Sequence, residues 1–263
     1  MGKKRVGLVL LLSIILAAFR TVVVIFNMEK NSYEKDTYYL LDNAMSNAFL
    51  VLFFISLAVG AVIAVLVGKG KKAIPDQKSD VVSAASCMLA FILLGTVIIY
   101  VVNYVMSGEF DGGLSLVIAL LSVLSAIAFL MTGFKVYSEN LLGVMALLPM
   151  ALTVFRILND FINSNSAPFA SSGAYHITSL AVLLLYFLCE GKAFINKGSA
   201  ALYYLFGYGA AILLAVYAMP NLLLHCFGIF NFDYNASLSV ADILTVAYIF
   251  ARLSSAKLVP AKE

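Results

Sequence analysis

The sequence predicts an all-α polytopic transmembrane helix bundle of eight spans, forming one integral membrane domain over residues 1–263. Three observations predict it. The chain is 63% hydrophobic and 12% charged, with mean hydropathy +1.00, whereas a soluble domain is roughly 25% charged. Eight apolar runs approach or exceed the ~20 residues that a helix needs to cross the hydrocarbon core. The connections between the runs alternate between lysine-rich and lysine-poor.

The first run, 6–26, follows Lys3, Lys4 and Arg5. It reads as a retained span rather than a secretion signal, because it continues past Arg20 to Phe26 with no small-x-small cleavage pattern. The second, 47–67, carries a row of small residues at i+4 steps, Ser56, Gly60, Ala64 and Gly68. Such rows let a neighbouring helix approach closely, here inside the bundle. The third, 84–106, has Asn103 near its end, and the fourth, 114–134, is uniformly apolar or small. The fifth, 141–162, contains Pro149, Arg156 and Asp160. The sixth, 175–195, opens on His176 and has Glu190 and Lys192 at its far end, which blurs that boundary. The seventh, 200–226, repeats the small-residue row at Gly207, Ala211 and Ala215, and Pro220 should kink or end it. The eighth, 237–253, holds Asp242 between Ser239 and Thr245 on one helical face.

Threading these runs through a membrane collects thirteen of the 17 basic residues on one side: Lys3, Lys4, Arg5, Lys69, Lys71, Lys72, Lys78, Lys135, Lys192, Lys197, Arg252, Lys257 and Lys262. The other side has only Lys30 and Lys35, and Arg20 and Arg156 lie within spans. The positive-inside rule then places both termini in the cytoplasm of a cell-membrane protein, as an even number of spans requires. The three cysteines read as small apolar side chains rather than a disulfide framework.

A shift of 136 residues lays the first span on the fifth. Gly7 meets Gly143, and Phe19-Arg20 meets Phe155-Arg156. This predicts a 4+4 parallel repeat with halves 1–136 and 137–263 and a site where the halves meet.

A charge at mid-membrane depth costs ~2.5–3.5 kcal/mol on insertion scales, so each arginine needs a partner or a task. Ser13, Ala17 and Arg20 share one face of the first span, as Thr153, Arg156 and Asp160 do in the fifth. Both arginines fall in the outer half, at the level of Asp242, Asn103, Asn221, His176 and His225. The binding reading makes Arg20, Arg156, Asp160, Asp242, Asn103 and Asn221 a ligand site, with guanidinium forks for an anionic group and Asp242 as counter-ion or coupling site. The structural reading pairs Arg156 with Asp160 at i+4 and Arg20 with Asp242 across the bundle. A metal site would require His176 and His225 to converge with Asp160 or Asp233.

The absent motifs matter as well. The sequence has no GxxxxGK[ST] loop, no HExxH and no GxSxG, and no long connection for a catalytic domain. This argues against an enzyme and against a bound cofactor, and the charge pattern offers no nucleic-acid surface. The expected surroundings are the lipid bilayer, a small-molecule ligand and a partner subunit on the cytoplasmic side. The sequence therefore reads as a transporter or permease subunit for a small anionic or zwitterionic solute. The alternative is a ligand-sensing or accessory membrane subunit that acts through a separate cytoplasmic partner.

Overall fold

The computed structural model describes residues 2–30, 44–107, 113–135, 139–164, 171–226 and 234–260. The helices are α1 (Gly2–Lys30), α2 (Ala44–Gly68), α3 (Asp80–Ser107), α4 (Gly113–Phe134), α5 (Glu139–Met145), α6 (Leu147–Ser164), α7 (Ser171–Phe194), α8 (Ala200–Cys226) and α9 (Tyr234–Ser255). Eight segments are long and apolar enough to cross a membrane, with α5 and α6 together making the fifth. The chain is thus a multi-pass membrane protein by the length and composition of its helices.

Two prolines treat their helices differently. Pro149 has no N–H to give the Met145 carbonyl, and the fifth span divides there into α5 and α6 around Ala146. Pro220 likewise leaves the Val216 carbonyl without its i+4 donor, yet α8 runs on to Cys226. The surrounding helices hold it, since α8 is the most buried span and packs against α1, α2, α7 and α9.

Packing follows a ring. Helices α3, α4, α6, α7, α8 and α9 each pack on the next, and α9 closes back onto α3. The α1–α2 pair lies against α8, with α1 also touching α9. Among the described residues no closely packed helix pair crosses this ring. Large side chains cross it instead: Phe129 of α4 meets Tyr248 of α9 edge-on at 5.1 Å and Phe187 of α7 at 6.2 Å. The small-residue rows do what their spacing implies. Ser56, Gly60, Ala64 and Gly68 are all buried, and Gly60 faces Tyr208 and Ile212 of α8. Gly207 faces Leu253 of α9.

This packing does not confirm the 4+4 repeat. Helices α7 and α8 pack along each other, but α2 and α3, which a 4+4 repeat would make their counterparts, show no comparable packing among the described residues. The all-α expectation also needs one addition. Strand β1 (Lys71–Ile74), in the connection after α2, pairs antiparallel with β2 (Lys257–Pro260) after α9. Lys72 also bridges to Ser199 at the start of α8. Lys135, at the end of α4, binds the Asp80 carboxylate at 2.7 Å and the Lys78 carbonyl at 3.1 Å, at the start of α3. Val6 of α1 lies in one groove with Asp80 and Ser254. One end of the bundle therefore gathers the start of α1, the end of β2 and the exposed lysines Lys69, Lys71, Lys78, Lys135, Lys192, Lys197 and Lys257.

Gly68 tests the close approach of α2 to α8. A Cβ there would overlap the backbone of Ala200 and Ala201. Gly68→Ala should destabilise the protein by about 1–3 kcal/mol, the usual cost of overpacking. Gly95→Ala, with nothing within 4 Å of the added carbon, should stay within about 0.5 kcal/mol of wild type. Thermal unfolding in detergent compares the two, and equal midpoints would refute the tight α2–α8 contact.

Candidate functional site

The end of the ring opposite the lysines holds a buried polar cluster drawn from α6, α7, α8 and α9. Arg156 of α6 reaches across to Asp242 of α9 with both arms, Nη1 to Oδ1 at 2.7 Å and Nη2 to Oδ2 at 2.9 Å. This is the parallel two-bond geometry in which guanidinium and carboxylate interact most strongly. Asp242 is 1% exposed. Ser239 and Thr245 are buried on the same helical face, as their spacing predicted.

His176, in the first turns of α7, ties the pair to a second carboxylate. Its Nδ1 contacts Asp160 Oδ2, while Nε2 lies 3.3 Å from Arg156 Nη2 and 3.4 Å from Asp242 Oδ2. The ring stacks on Tyr217 of α8, with centroids 4.0 Å apart and planes 15° from parallel. The chemistry of the imidazole follows from these neighbours. With one ring proton, placed on Nδ1 toward Asp160, Nε2 is an acceptor and takes a hydrogen bond from Arg156. With a second proton, Nε2 becomes a donor; it can then bond only to Asp242 and must release Arg156. The cluster has two carboxylates and one guanidinium, so a protonated His176 brings it to electrical balance.

Arg20 stands in a different environment. It is 2% exposed, and its guanidinium lies 5.1 Å from the Phe49 ring centroid of α2 and 5.2 Å from that of Tyr175 of α7. Aromatic faces attract a desolvated cation by ~2 kcal/mol or more. Beside it is a cavity of about 10 Å³ lined by Val24, Tyr175, Val216, Tyr217 and Pro220. The gap in α8 hydrogen bonding at Val216 and Pro220 thus falls next to Arg20.

The structure gives these charges other partners than the sequence spacing suggests. Arg156 pairs with Asp242 rather than Asp160, and Asp160 pairs with His176. Arg20 is held by aromatic faces instead of Asp242. Asn103 is exposed on α3. Asn221 is half-buried on α8, and no hydrogen bond joins it to this cluster. His225 lies eight residues beyond Tyr217 on α8, about 12 Å along the axis, so it does not converge with His176. Asp233 lies outside the described residues. Among the described residues no group of three histidine, cysteine or carboxylate side chains is arranged to hold a metal.

Sequence reasoning missed a second cluster at the lysine end of the ring. Arg252, assigned to the basic side as though it were a surface charge, is fully buried. Its Nε lies 3.0 Å from Glu190 Oε1 and donates to the Tyr248 hydroxyl at 2.9 Å, and that hydroxyl donates to Glu190 at 2.8 Å. Phe194 and Tyr248 cover its guanidinium at 5.0 and 5.3 Å. A cavity of about 20 Å³ touches Glu190, Tyr248, Thr132 and the α5–α6 break at Met145, Ala146 and Pro149. It has room for one water. The available signal was the continuation of the polar row on α9: Ser239, Asp242, Thr245, Tyr248 and Arg252 fall at steps of three and four.

Comparison with family models, characterised proteins and solved structures finds no match.

Removing one member of the Arg156–Asp242 pair should leave a buried charge without its counterpart. Arg156→Met or Asp242→Leu should each cost about 3–5 kcal/mol. The double change Arg156→Met with Asp242→Leu should recover most of that loss. Midpoints of the four proteins in detergent give the coupling, and simply additive losses would show that the two residues do not act as a pair.

Proposed function

We propose that this chain is a proton-coupled carrier, or permease subunit, for a small anionic or zwitterionic solute. The supporting observation is the double hydrogen bond between Arg156 and Asp242 with His176 at its edge. An ionisable group inside a membrane-spanning bundle commonly marks a substrate or proton path. Here Asp242 serves as the counter-ion of Arg156 in the empty state. An anionic group on the solute takes its place on the guanidinium fork, and the carboxylate then needs a new partner. Protonated His176 supplies it, because its Nε2 is already 3.4 Å from Asp242. Binding of the anion and of the proton thus favour each other by charge.

The ring suggests which part moves. Helix α9 packs on α3 and α8, and it reaches α6 and α7 through long side chains. Parting α9 from that wall would open the interior, a different division from two four-helix halves. The lysine-bearing end is the cytoplasmic one in this reading, with both termini there and the cell membrane as the location.

A second reading, a sensing or accessory subunit, draws on the same basic end. Its seven exposed lysines and the β1–β2 pair form a surface suited to a separate cytoplasmic partner. Co-purification of a soluble protein together with absence of flux would favour it.

Uptake by proteoliposomes, measured across small carboxylates, phosphates and amino acids with and without a pH gradient, tests the carrier. Wild type should accumulate at least one of them when the gradient is imposed. Arg156→Gln should lower the rate at least about tenfold, the loss of one charged hydrogen bond. His176→Gln should retain exchange but lose gradient-driven accumulation. Flux that ignores both substitutions would overturn the reading. Reporter fusions at each end test the topology, and activity of an exported-only reporter at either terminus would reverse it.

A further inference from the structure

The cluster at the lysine end contains an acid that the carrier mechanism leaves idle. Arg252 Nε lies 3.0 Å from Glu190 Oε1, and the Tyr248 hydroxyl donates to the same oxygen at 2.8 Å. A carboxylate has two oxygens and about four acceptor sites. Against this one lies the cavity of about 20 Å³, which Thr132, Phe194 and Tyr248 also line.

The cavity falls on the break in the fifth span. Met145 and Pro149 line it together, and they are the two ends of the helical hydrogen bond that proline cannot make. The bonds on either side survive, Ala146 N–H to the Leu142 carbonyl at 3.0 Å and Met150 N–H to the Ala146 carbonyl at 3.4 Å. Gly191, next to Glu190, brings α7 close to this point, since a Cβ on it would lie 3.4 Å from Ala146 Cβ. A carboxylate and a backbone carbonyl without its helical donor thus meet at one space of water size. A water there can donate once to each, and ordered water is a usual repair of a proline break in a membrane helix. Phe194 ends α7 four residues past Glu190, about 6 Å along the axis. The cavity therefore lies roughly one turn from the lysine-bearing end.

We infer that Glu190 is a second proton-binding site, filled from the lysine end through one water held in the α5–α6 break. The proton passes from that water to the carboxylate, and the water regains one from the aqueous phase. Glu190 is then neutral, and Arg252 has lost its counter-ion. Arg252 lies three residues before the end of α9, about 4.5 Å along the axis, so its long side chain can carry the guanidinium to water. Tyr248 then loses the N–H that Arg252 gives it, and its ring, edge-on to Phe129 at 5.1 Å, loses its anchor inside the ring of helices. The other titratable groups facing Glu190 are phenols, which take up no proton: Tyr186, one turn earlier on α7, and Tyr203 of α8, whose rings stack at 5.6 Å. Strand β1 also packs on α7 and carries Lys71 and Lys72, while the charges of α6, Arg156 and Asp160, belong to the opposite end. This goes beyond the carrier reading and does not rest on it, because it concerns a different cluster and is read without flux.

Infrared difference spectra of the full chain in phosphatidylcholine vesicles test the assignment. Acidification should raise a carboxylic-acid band that Glu190→Gln removes. In deuterium oxide that band should exchange about tenfold faster in wild type than in Pro149→Ala, which gives the Met145 carbonyl its donor and closes the break; the factor is the worth of about one hydrogen bond. Amide exchange at the end of α9, corrected for its intrinsic pH dependence, should rise on acidification in wild type. In Glu190→Gln it should already be high at neutral pH, because Arg252 has no counter-ion. If Glu190→Gln fails to fold, Glu190→Gln with Arg252→Gln removes both charges and should fold without the band. An acid band that survives loss of Glu190, exchange as slow in wild type as in Pro149→Ala, or α9 exchange that follows acid equally with and without Glu190 would each overturn the assignment.

Discussion

The cost of burying charge in a medium without water governs this fold. Among the described residues, five charged side chains are almost wholly buried in the bundle: Arg20, Arg156, Glu190, Asp242 and Arg252. Isolated, each would carry a desolvation penalty of several kcal/mol. The bundle meets that constraint in two ways. Arg156 and Arg252 find carboxylates on other helices, and Arg20 lies against aromatic faces. The pairing fixes the rotation of α9, which presents Asp242 to α6 and, about 15 Å further along its axis, Arg252 to α7. A slip of α9 by one residue would turn both groups by 100° and leave four buried charges without counterparts.

Much of this architecture was legible from composition and period. The spans announced themselves because lipid demands long apolar helices, and their small-residue rows predicted close packing inside the bundle, with partners that only the fold supplies: α2 on α8 and α8 on α9. The faces of α9 and α6 were legible too, because a helix fixes which residues share a side. What a helical period does not encode is which neighbour a face meets. The i+4 spacing of Arg156 and Asp160 made a local pair attractive, yet Asp242 offers Arg156 a drier partner with both oxygens in line. The same gap hid the second cluster. Arg252 sits three residues from the end of α9, where a basic side chain ordinarily reaches water; the polar row on α9 marks its face, and the packing of Phe194 and Tyr248 over it keeps it inside. The recurrence of Phe-Arg at Arg20 and Arg156 likewise describes two similar helix stretches placed in dissimilar surroundings.

The β1–β2 pair illustrates another limit. Its strands are four residues each and lie 186 positions apart at their starts, residues 71 and 257. Strands so short have no period to detect, and their partner is set by where α2 and α9 end. They nevertheless tie the ends of α2, α8 and α9 into one unit at the lysine-bearing end.

The two clusters differ in one respect that bears on mechanism. At the lysine end Glu190 has one guanidinium and a phenol, all donors to it, so its charge is matched as it stands. At the other end two carboxylates share one guanidinium, and the imbalance falls on His176. Helix α9 joins the ends, contributing an acid to one cluster and a base to the other. Separating α9 from α6 and α7 would break both pairs, and neither break is tolerable unless another charge moves in. The matched cluster has a single neutral way to open, transfer of a proton to Glu190 with Arg252 turning to the exposed end. The unmatched cluster can exchange Asp242 for an incoming anion and give Asp242 the His176 proton, and the charge that remains is then on Asp160, the more exposed of its two carboxylates. The asymmetry therefore makes the Arg156–Asp242 cluster the easier of the two to open, and it places the exchangeable proton on the residue already positioned between the two aspartates.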